Sequence, residues 1–367
     1  MPSSDERKGL FKLVAQGTEG TIGEPGKCEF SKAIFDGSDL KTLESVHEQE
    51  IVGHISKSIP STPRTTIFGT KVAMEEDDAS KLEILPAYFT VSQDGFIASK
   101  FNGHLCRNAQ HKILVGSKVE IKGNVLGQNI LVDHDVCIFG DLENSTVECN
   151  NLEVKGVIRQ CRVQSTGHVT VEKGIHGGQD GGNIRSEKNL RSSYINSAHV
   201  VVKGKVNVTS SIFASTVFAG DLEAESAKVT ESKLIIERKC SIKEVGTELS
   251  KGVSSLWAGM DERAYEVYKI KQEMIQMQAA LTDKIKRRVL KPEERVLAEN
   301  EIEVLRKDCE QFPGTFFEDG CIEIKSIIKQ GTLVGVKGVA KEVPMDIESR
   351  VRITCPLAEL IISRVKA

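Results

Sequence analysis

The sequence predicts a fold dominated by β structure: a single-stranded parallel β-helix with an antiparallel α-helical coiled-coil hairpin inserted near its C-terminal end. Three observations predict it. Short apolar pairs recur with a period near 17 residues from residue 113 onward. A later stretch without glycine or proline carries apolar side chains at alternating spacings of three and four. Aromatic residues make up only 5% of the 367 residues, which suits a narrow coil interior filled by small aliphatic side chains.

Each unit of the repeat has two apolar residues two positions apart, a short gap, two more such residues and a single one. Because successive side chains of a strand point to opposite faces, each pair places both apolar groups on one face. Strands this short are stable when they pair with their equivalents one turn above and below. An antiparallel sandwich is the alternative, but it lacks this signature. About eight coils are expected, beginning at residues 113, 130, 147, 163, 184, 200, 217 and 234.

Two helices are predicted after the coils. The first begins at Asp261 and the second at Pro292, which suits the first turn of a helix. A short turn between two such apolar stripes predicts an antiparallel hairpin with a coiled-coil seam. The seam residues are Val267, Ile270, Met274, Met277, Leu281 and Ile285 in the first helix, and Ala298, Ile302, Leu305, Cys309 and Phe312 in the second.

The expected organisation follows from these elements. Residues 1–80 form an N-terminal region, partly β or irregular, and residues 81–112 lead into the coils. The β-helix spans 113–257 and the coiled-coil hairpin 258–313. Residues 314–367 return to β pattern and either extend the coils or cap their open end, because a bare end would expose unpaired backbone.

Composition favours a reduced, cytoplasmic protein. Nine cysteines are scattered without CxxC spacing, and no apolar run approaches the roughly 20 residues that span a bilayer. The first residues lack the apolar segment of a signal peptide. A net charge of −3 gives no general attraction to nucleic acid. No cofactor, metal, nucleic-acid partner or stable membrane insertion is therefore expected.

Two candidate sites have simpler structural interpretations. The glycine-rich segment with Gly174, Gly177, Gly178, Gly181 and Gly182 resembles a phosphate loop, but no Gly-Lys-Ser/Thr ends it. It coincides with the one long step of the repeat, which predicts an enlarged coil corner. The cluster Asp133, His134 and Asp135, with His168 and His199 in other coils, could serve acid–base or metal chemistry. Their positions in the gaps of the repeat favour ordinary corners, so no catalytic residue is predicted.

The densest basic run lies at the predicted hairpin tip. A solvated tip is the simplest interpretation, and docking to an acidic partner or an anionic membrane surface is the alternative. The residues proposed to bind a partner are Lys284, Lys286, Arg287, Arg288 and Lys291.

Two segments resemble a known family. The run Val147–Ile158, and the run from Val169 to Ile175 leading into the glycine-rich segment, are similar to the repeats of the flagellar assembly protein A (FapA) family. The segment from Ile51 to Gly69 resembles the part that precedes the family's coils, although Arg64 and Thr66 stand where the family often has glycine. The resemblance covers residues 50–367. It implies a right-handed β-helix and a role in polar flagellum assembly or cell-pole organisation, with no catalytic residues to carry over.

The function predicted is that of a non-enzymatic cytoplasmic scaffold or adaptor, located at the cell pole if the family resemblance holds. It would present a rigid β-helix and a helical hairpin to protein partners, and self-association stays open. The alternatives are a bactofilin-like polymer and, with less support, a carbohydrate-binding or acyltransferase β-helix. The coils are short and leave little wall to enclose a substrate.

Overall fold

The computed structural model describes residues 18–19, 27–37, 40, 43–56, 62–66, 68, 70–72, 84–178, 182–246, 253–287, 292–311, 314–356 and 359–365. The chain divides into two compact units, residues 1–117 and 118–367.

The first unit is an antiparallel β structure. Four of its strands form a sheet in the order β1-β2-β6-β5, and β3 pairs with β4 and β7 with β8. Its core contains Val52, Phe89, Ile97 and Leu105. The strands are β1 (Cys28–Phe30), β2 (Ile51–Ile55), β3 (Arg64–Thr65), β4 (Lys71–Val72), β5 (Phe89–Val91), β6 (Phe96–Ser99), β7 (His104–Arg107) and β8 (Ile113–Gly116).

Strand β8 shows how the first predicted coil begins. The sequence places Ile113 and Val115 in the first coil, but β8 pairs antiparallel with β7 and belongs to the first unit. Both side chains are buried, as the pattern predicts. An alternating apolar pattern is the same for a hairpin strand and a coil strand, so the period alone could not separate them.

The second unit is a parallel β-solenoid of about seven turns, against about eight predicted. Each short strand pairs with its equivalent one coil away, so that Val147 lies beside Ile130 on one side and Val163 on the other. The strands of the first four turns are β9 (Lys118–Ile121), β10 (Val125–Leu126), β11 (Asn129–Leu131), β12 (Asp135–Ile138), β13 (Leu142–Glu143), β14 (Thr146–Cys149), β15 (Leu152–Val154), β16 (Val157–Arg159), β17 (Arg162–Ser165), β18 (Val169–Val171) and β19 (Gly174–His176).

The later turns contain longer strands that bend around the corners. They are β20 (Gly182–Ser186), β21 (Leu190–Asn196), β22 (Ala198–Phe213), β23 (Thr216–Thr230), β24 (Lys233–Ile236), β25 (Lys239–Val245) and β26 (Ser255–Ala258). The weakest predicted coil keeps its register, and its two inward serines are buried. Ser186 Oγ donates to Gly167 O at 2.8 Å and Ser192 Oγ to Tyr194 O at 2.8 Å. These hydrogen bonds offset the cost of burying hydroxyls in an apolar interior.

Two corners of the coil have recurring chemistry. At one corner a residue adopts positive φ in most turns, with values between 45° and 52° for Asn144, Gln160, Ser197, Ala214 and Glu231. At another corner an Asn or Asp oxygen accepts the backbone N–H of the residue that follows a glycine one coil later. The acceptor and donor residues are Asn124 and Asp141, Asp141 and Val157, Asn151 and His168, and Asn189 and Lys205, at 2.7–2.9 Å. The glycines are required because a Cβ there would lie 2.1–2.4 Å from the accepting oxygen.

Two helices interrupt the solenoid after β26. Helix α1 spans Glu262–Lys286 and α2 spans Pro292–Gln311, so the predicted starts are correct to within one residue. Val267, Ile302 and Cys309 are buried, and the other predicted seam residues with described side chains are intermediate. Neither helix in the described part of the chain has a stretch apolar enough to cross a membrane.

The chain then returns to the solenoid and closes its C-terminal end. Strands β27 (Cys321–Ile328) and β28 (Leu333–Val336) continue the parallel stack on β25 and β26. The remaining strands pair antiparallel, which gives part of the last coil's backbone hydrogen-bond partners. They are β29 (Val339–Glu342), β30 (Ile347–Glu348), β31 (Val351–Thr354) and β32 (Ile361–Arg364).

Candidate functional site

The outward face of the last coils carries a column of apolar side chains. Val201, Phe218, Ile235 and Trp257 lie next to one another in successive coils, each in register with the next. Gly335 follows below Trp257, and a Cβ at Gly335 would lie only 2.3 Å from the indole ring. Ile235 and Trp257 are 1% and 2% exposed although they point away from the coil interior. Another element must therefore cover this face.

Helix α1 covers it with aromatic side chains. The ring centroids of Trp257 lie 5.5 Å from Tyr265 and 4.6 Å from Tyr268, and Phe218 lies 6.4 Å from Tyr265. We call these four residues the aromatic joint. The ammonium groups of Lys233 and Lys269 lie within 6 Å of the Tyr265 ring centroid, in the range of cation–π attraction. Burial raises the pKa of the Tyr265 phenol, which stays neutral in its apolar surroundings.

Polar contacts hold the base of the helices. Asp261 caps α1 because its Oδ1 accepts the N–H of Ala264 at 2.7 Å, and its Oδ2 accepts the N–H of Thr315 at 2.9 Å. Arg263, at the start of α1, binds Asp308, near the end of α2, at 2.6 Å. The first turn of one helix is thereby tied to the last turn of the other.

The chain leaves and re-enters the solenoid at one place. Met260 pairs with Phe316 in an antiparallel bridge. A Cβ on Gly320 would lie 2.3 Å from Gly259 Cα, and a Cβ on Gly314 would lie 2.1 Å from the Ala264 nitrogen. Glycine is needed at both positions because the two backbone segments approach each other this closely.

A groove of about 380 Å³ lies between the first turn of α1 and the solenoid, and we call it the junction groove. Val201, Phe218, Ile235 and Met260 provide its apolar surface. Its charged lining residues are Lys203, Glu237, Asp261, Glu262, Arg263 and Glu266. This size and mixed character are typical of a site that accepts side chains or a small ligand.

Carboxylates outnumber available cations in the junction groove. Both of its basic residues are already bound, Lys203 to Glu187 and Arg263 to Asp308 and Glu266. Burial raises the pKa of the Glu237 carboxyl, and the nearest guanidinium, of Arg238, is 3.7 Å away. No ion pair joins Glu262 to another residue that the structure describes. The groove lining therefore combines an apolar surface with four acidic and two basic residues, an excess of negative charge.

The glycine-rich segment forms part of a closed turn. The N–H of Gly177 donates to Asn196 O at 2.8 Å, and the N–H of Gly182 donates to Gly177 O at 3.0 Å. A Cβ on Gly177 would lie 2.0 Å from Ser197 O, and one on Gly174 would overlap the Tyr194 ring. Gly178 has a φ of 72°, which favours glycine. Gly181 lies outside the described residues.

The basic run is only partly described. Lys284 and Arg287 are exposed, and Arg287 binds Asp283 at 3.0 Å. Lys286 lies in the last turn of α1, and its side chain is not described. Arg288 and Lys291 lie outside the described residues.

The histidines do not gather into one site. His134 is buried with its Nδ1 3.0 Å from Asp133, and the Asp135 carboxylate accepts both side-chain amides of Asn150 and Asn151. His168 precedes β18, whereas His199 lies within β22 opposite Asn183, at a different corner. Burial lowers the pKa of His199. Among the described residues no group of three or more His, Cys, Asp or Glu is placed to hold a metal ion.

Sequence reasoning missed the aromatic joint, although a signal was present. In the early coils this column has the exposed Leu131 and then polar residues, as in Val147-Glu148-Cys149. In the late coils the whole triplet is apolar, as in Val217-Phe218-Ala219, Leu234-Ile235-Ile236 and Leu256-Trp257-Ala258. A run of apolar residues at the outward positions of successive coils indicates a covered face.

The fold and site define a class: a β-solenoid with two helices inserted late in the stack, of which the first packs on the outward face of the last coils. The family model of the flagellar assembly protein A beta solenoid domain matches residues 113–312, more than half of the chain. The chain belongs to this family. No curated protein and no solved structure matches it.

Proposed function

We propose that the protein is a non-enzymatic scaffold of flagellar assembly that acts in the cytoplasm at the cell pole and binds protein partners through its helices. The family supports the flagellar role. The observation that carries the scaffold role is the aromatic joint, supported by the Asp261 cap and the Arg263–Asp308 ion pair. A segment anchored at its base by packing and by polar contacts holds a fixed direction, which suits a presented binding arm.

We further propose that α1 and α2 form an antiparallel coiled-coil hairpin spanning residues 258–313. The ion pair between the first turn of α1 and the last turn of α2 supports antiparallel order. The burial of Val267, Ile302 and Cys309 supports a shared seam. Residues 113–257 and 314–367 would be the solenoid and its C-terminal extension, wound right-handed like most parallel β crossovers.

The contact point for partners would be the basic tip, residues 284–291, while Gly174, Gly177, Gly178, Gly181 and Gly182 would serve only to shape a coil corner. The closed turn at Gly177 and Gly182 supports the second assignment. The proposal that the protein is not an enzyme is supported by the state of two carboxylates. Asp135 and Asp141 are both occupied by hydrogen bonds to residues of the next coil.

A charge-reversal experiment tests the binding arm. The full chain carrying Lys286→Glu, Arg287→Glu and Arg288→Glu would be tagged and purified from its own cells. We expect the variant to lose the flagellar components that the unchanged protein retains, because the exchange replaces attraction by repulsion.

The matched control carries the same charge change on exposed solenoid lysines, Lys122→Glu, Lys173→Glu and Lys188→Glu. It should retain the partners. An identical set of co-purified proteins for the tip variant and the unchanged chain would refute the binding arm. Flagellar components absent from all three purifications would argue against the flagellar role itself.

A further inference from the structure

The junction groove and the basic tip have complementary chemistry. The groove combines an apolar surface with four acidic and two basic lining residues, and no ion pair of the described residues involves Glu262. The tip, residues 284–291, contains five basic residues and no acidic one, interspersed with Ile285, Val289 and Leu290. A segment that offers both cations and aliphatic side chains fits a groove that offers carboxylates and an apolar surface.

A tip cannot reach the groove of its own chain. The groove includes Glu262 and Arg263 in the first turn of α1, whereas Lys284 and Arg287 lie at its far end. A continuous helix of 25 residues holds its ends about 37 Å apart, from a rise of 1.5 Å per residue. Only another molecule can bring a tip to this groove.

We propose that the junction groove of one copy binds the basic tip of a second copy. This rests on the proposed function only in using the tip as a contact point. The two surfaces differ, so the contact is head-to-tail and each bound copy still offers a free tip or a free groove. Such contacts produce rings when the rotation closes and open chains when it does not.

Sedimentation velocity of the purified full chain tests the proposal, at rising protein concentration and in low and high salt. Association is expected to increase with concentration and to weaken with salt, because the contact depends on charges near the surface. Lys284→Glu with Lys286→Glu and Arg287→Glu should weaken association by about tenfold or more, and so should Glu237→Lys with Glu262→Lys. The Lys122, Lys173 and Lys188 control should associate as the unchanged protein does.

Mixing the two variants provides the decisive measurement. The acidic tip of one variant then faces the basic groove of the other, so association should return in the mixture although neither variant associates alone. Circular dichroism verifies that each variant is folded, and Glu262→Lys alone replaces the lysine pair if that pair unfolds the chain.

Three results would overturn the proposal: an unchanged chain that stays monomeric in low salt, variants that associate normally, or a mixture of folded variants without recovery. The measurement uses purified protein alone, so these three results do not depend on whether flagellar partners bind in cells. Failure of this proposal can therefore be told apart from failure of the proposed function.

Discussion

One column of outward positions runs through the solenoid and changes character halfway. In the early coils it contains Leu131, Glu148, Gln164 and Arg185, all exposed, and in the late coils it contains Val201, Phe218, Ile235 and Trp257. The inward positions of both halves are buried, and most of them are apolar. The coil interior therefore determines the solenoid, while the outward column determines where the helices pack.

The largest expected difference between the two halves is at Trp257. Trp257→Ala removes the centre of the aromatic joint and should destabilise the second unit by about 3–5 kcal/mol, as for other buried aromatic residues. Gln164→Ala, at an exposed position of the same column, should change stability by about 0.5 kcal/mol or less. Thermal denaturation followed by circular dichroism measures both. Equal losses of stability in the two variants would contradict the conclusion that the column is covered only in the late coils.

An intermediate effect is expected at Gly156, in the early half. A Cβ there would lie 2.1 Å from Asp141 Oδ1 and 2.5 Å from Gly140 O. Gly156→Ala should therefore displace the Asp141 carboxylate from the Val157 N–H and cost about 1–3 kcal/mol. Urea denaturation measures the loss. Gly123→Ala is a useful comparison, because its Cβ meets nothing within 4 Å, although its φ of 104° adds strain of its own.

The smallest effects concern the pH dependence of stability. Glu153 in the early half and Glu237 in the late half should contribute with opposite signs. Lys155 and Lys118 lower the pKa of Glu153 to about 2, so its ion pairs stabilise the fold above the unfolded value and are lost as pH falls from 4.5 toward 2. The side chain is about a third exposed, which limits this contribution to about 0.5 kcal/mol.

Burial raises the pKa of Glu237, so its contribution is present below 4.5 and is lost as pH rises through the folded value. Stability curves against pH should show Glu153→Gln destabilising at neutral pH and Glu237→Gln stabilising there. If both substitutions changed stability in the same direction, the surroundings of Glu237 would not disfavour its charged form.

The sequence predicted well whatever depended on a repeated local pattern. The inward pairs such as Leu152 and Val154, and the starts of both helices, follow from strand alternation and from proline and capping preferences. The antiparallel pairing of Ile113 could not be predicted because pairing direction is not contained in the alternation. Tyr265 and Tyr268 could not be assigned to Trp257 by spacing, since that contact joins a helix to a sheet face.

The close approach of Gly259 and Gly320 has a consequence for how this arm can vary. Strands β27 and β28 stack on β25 and β26 in register, as if residues 259–320 were absent. Because the two ends of the insertion lie side by side, its length does not affect the spacing of the coils before and after it. Such sites tolerate changes in inserted length. Adding or removing two-turn blocks in both helices would thus alter the reach of the arm while leaving every coil in place. The coils keep their positions, and the length of the two helices can change without altering them.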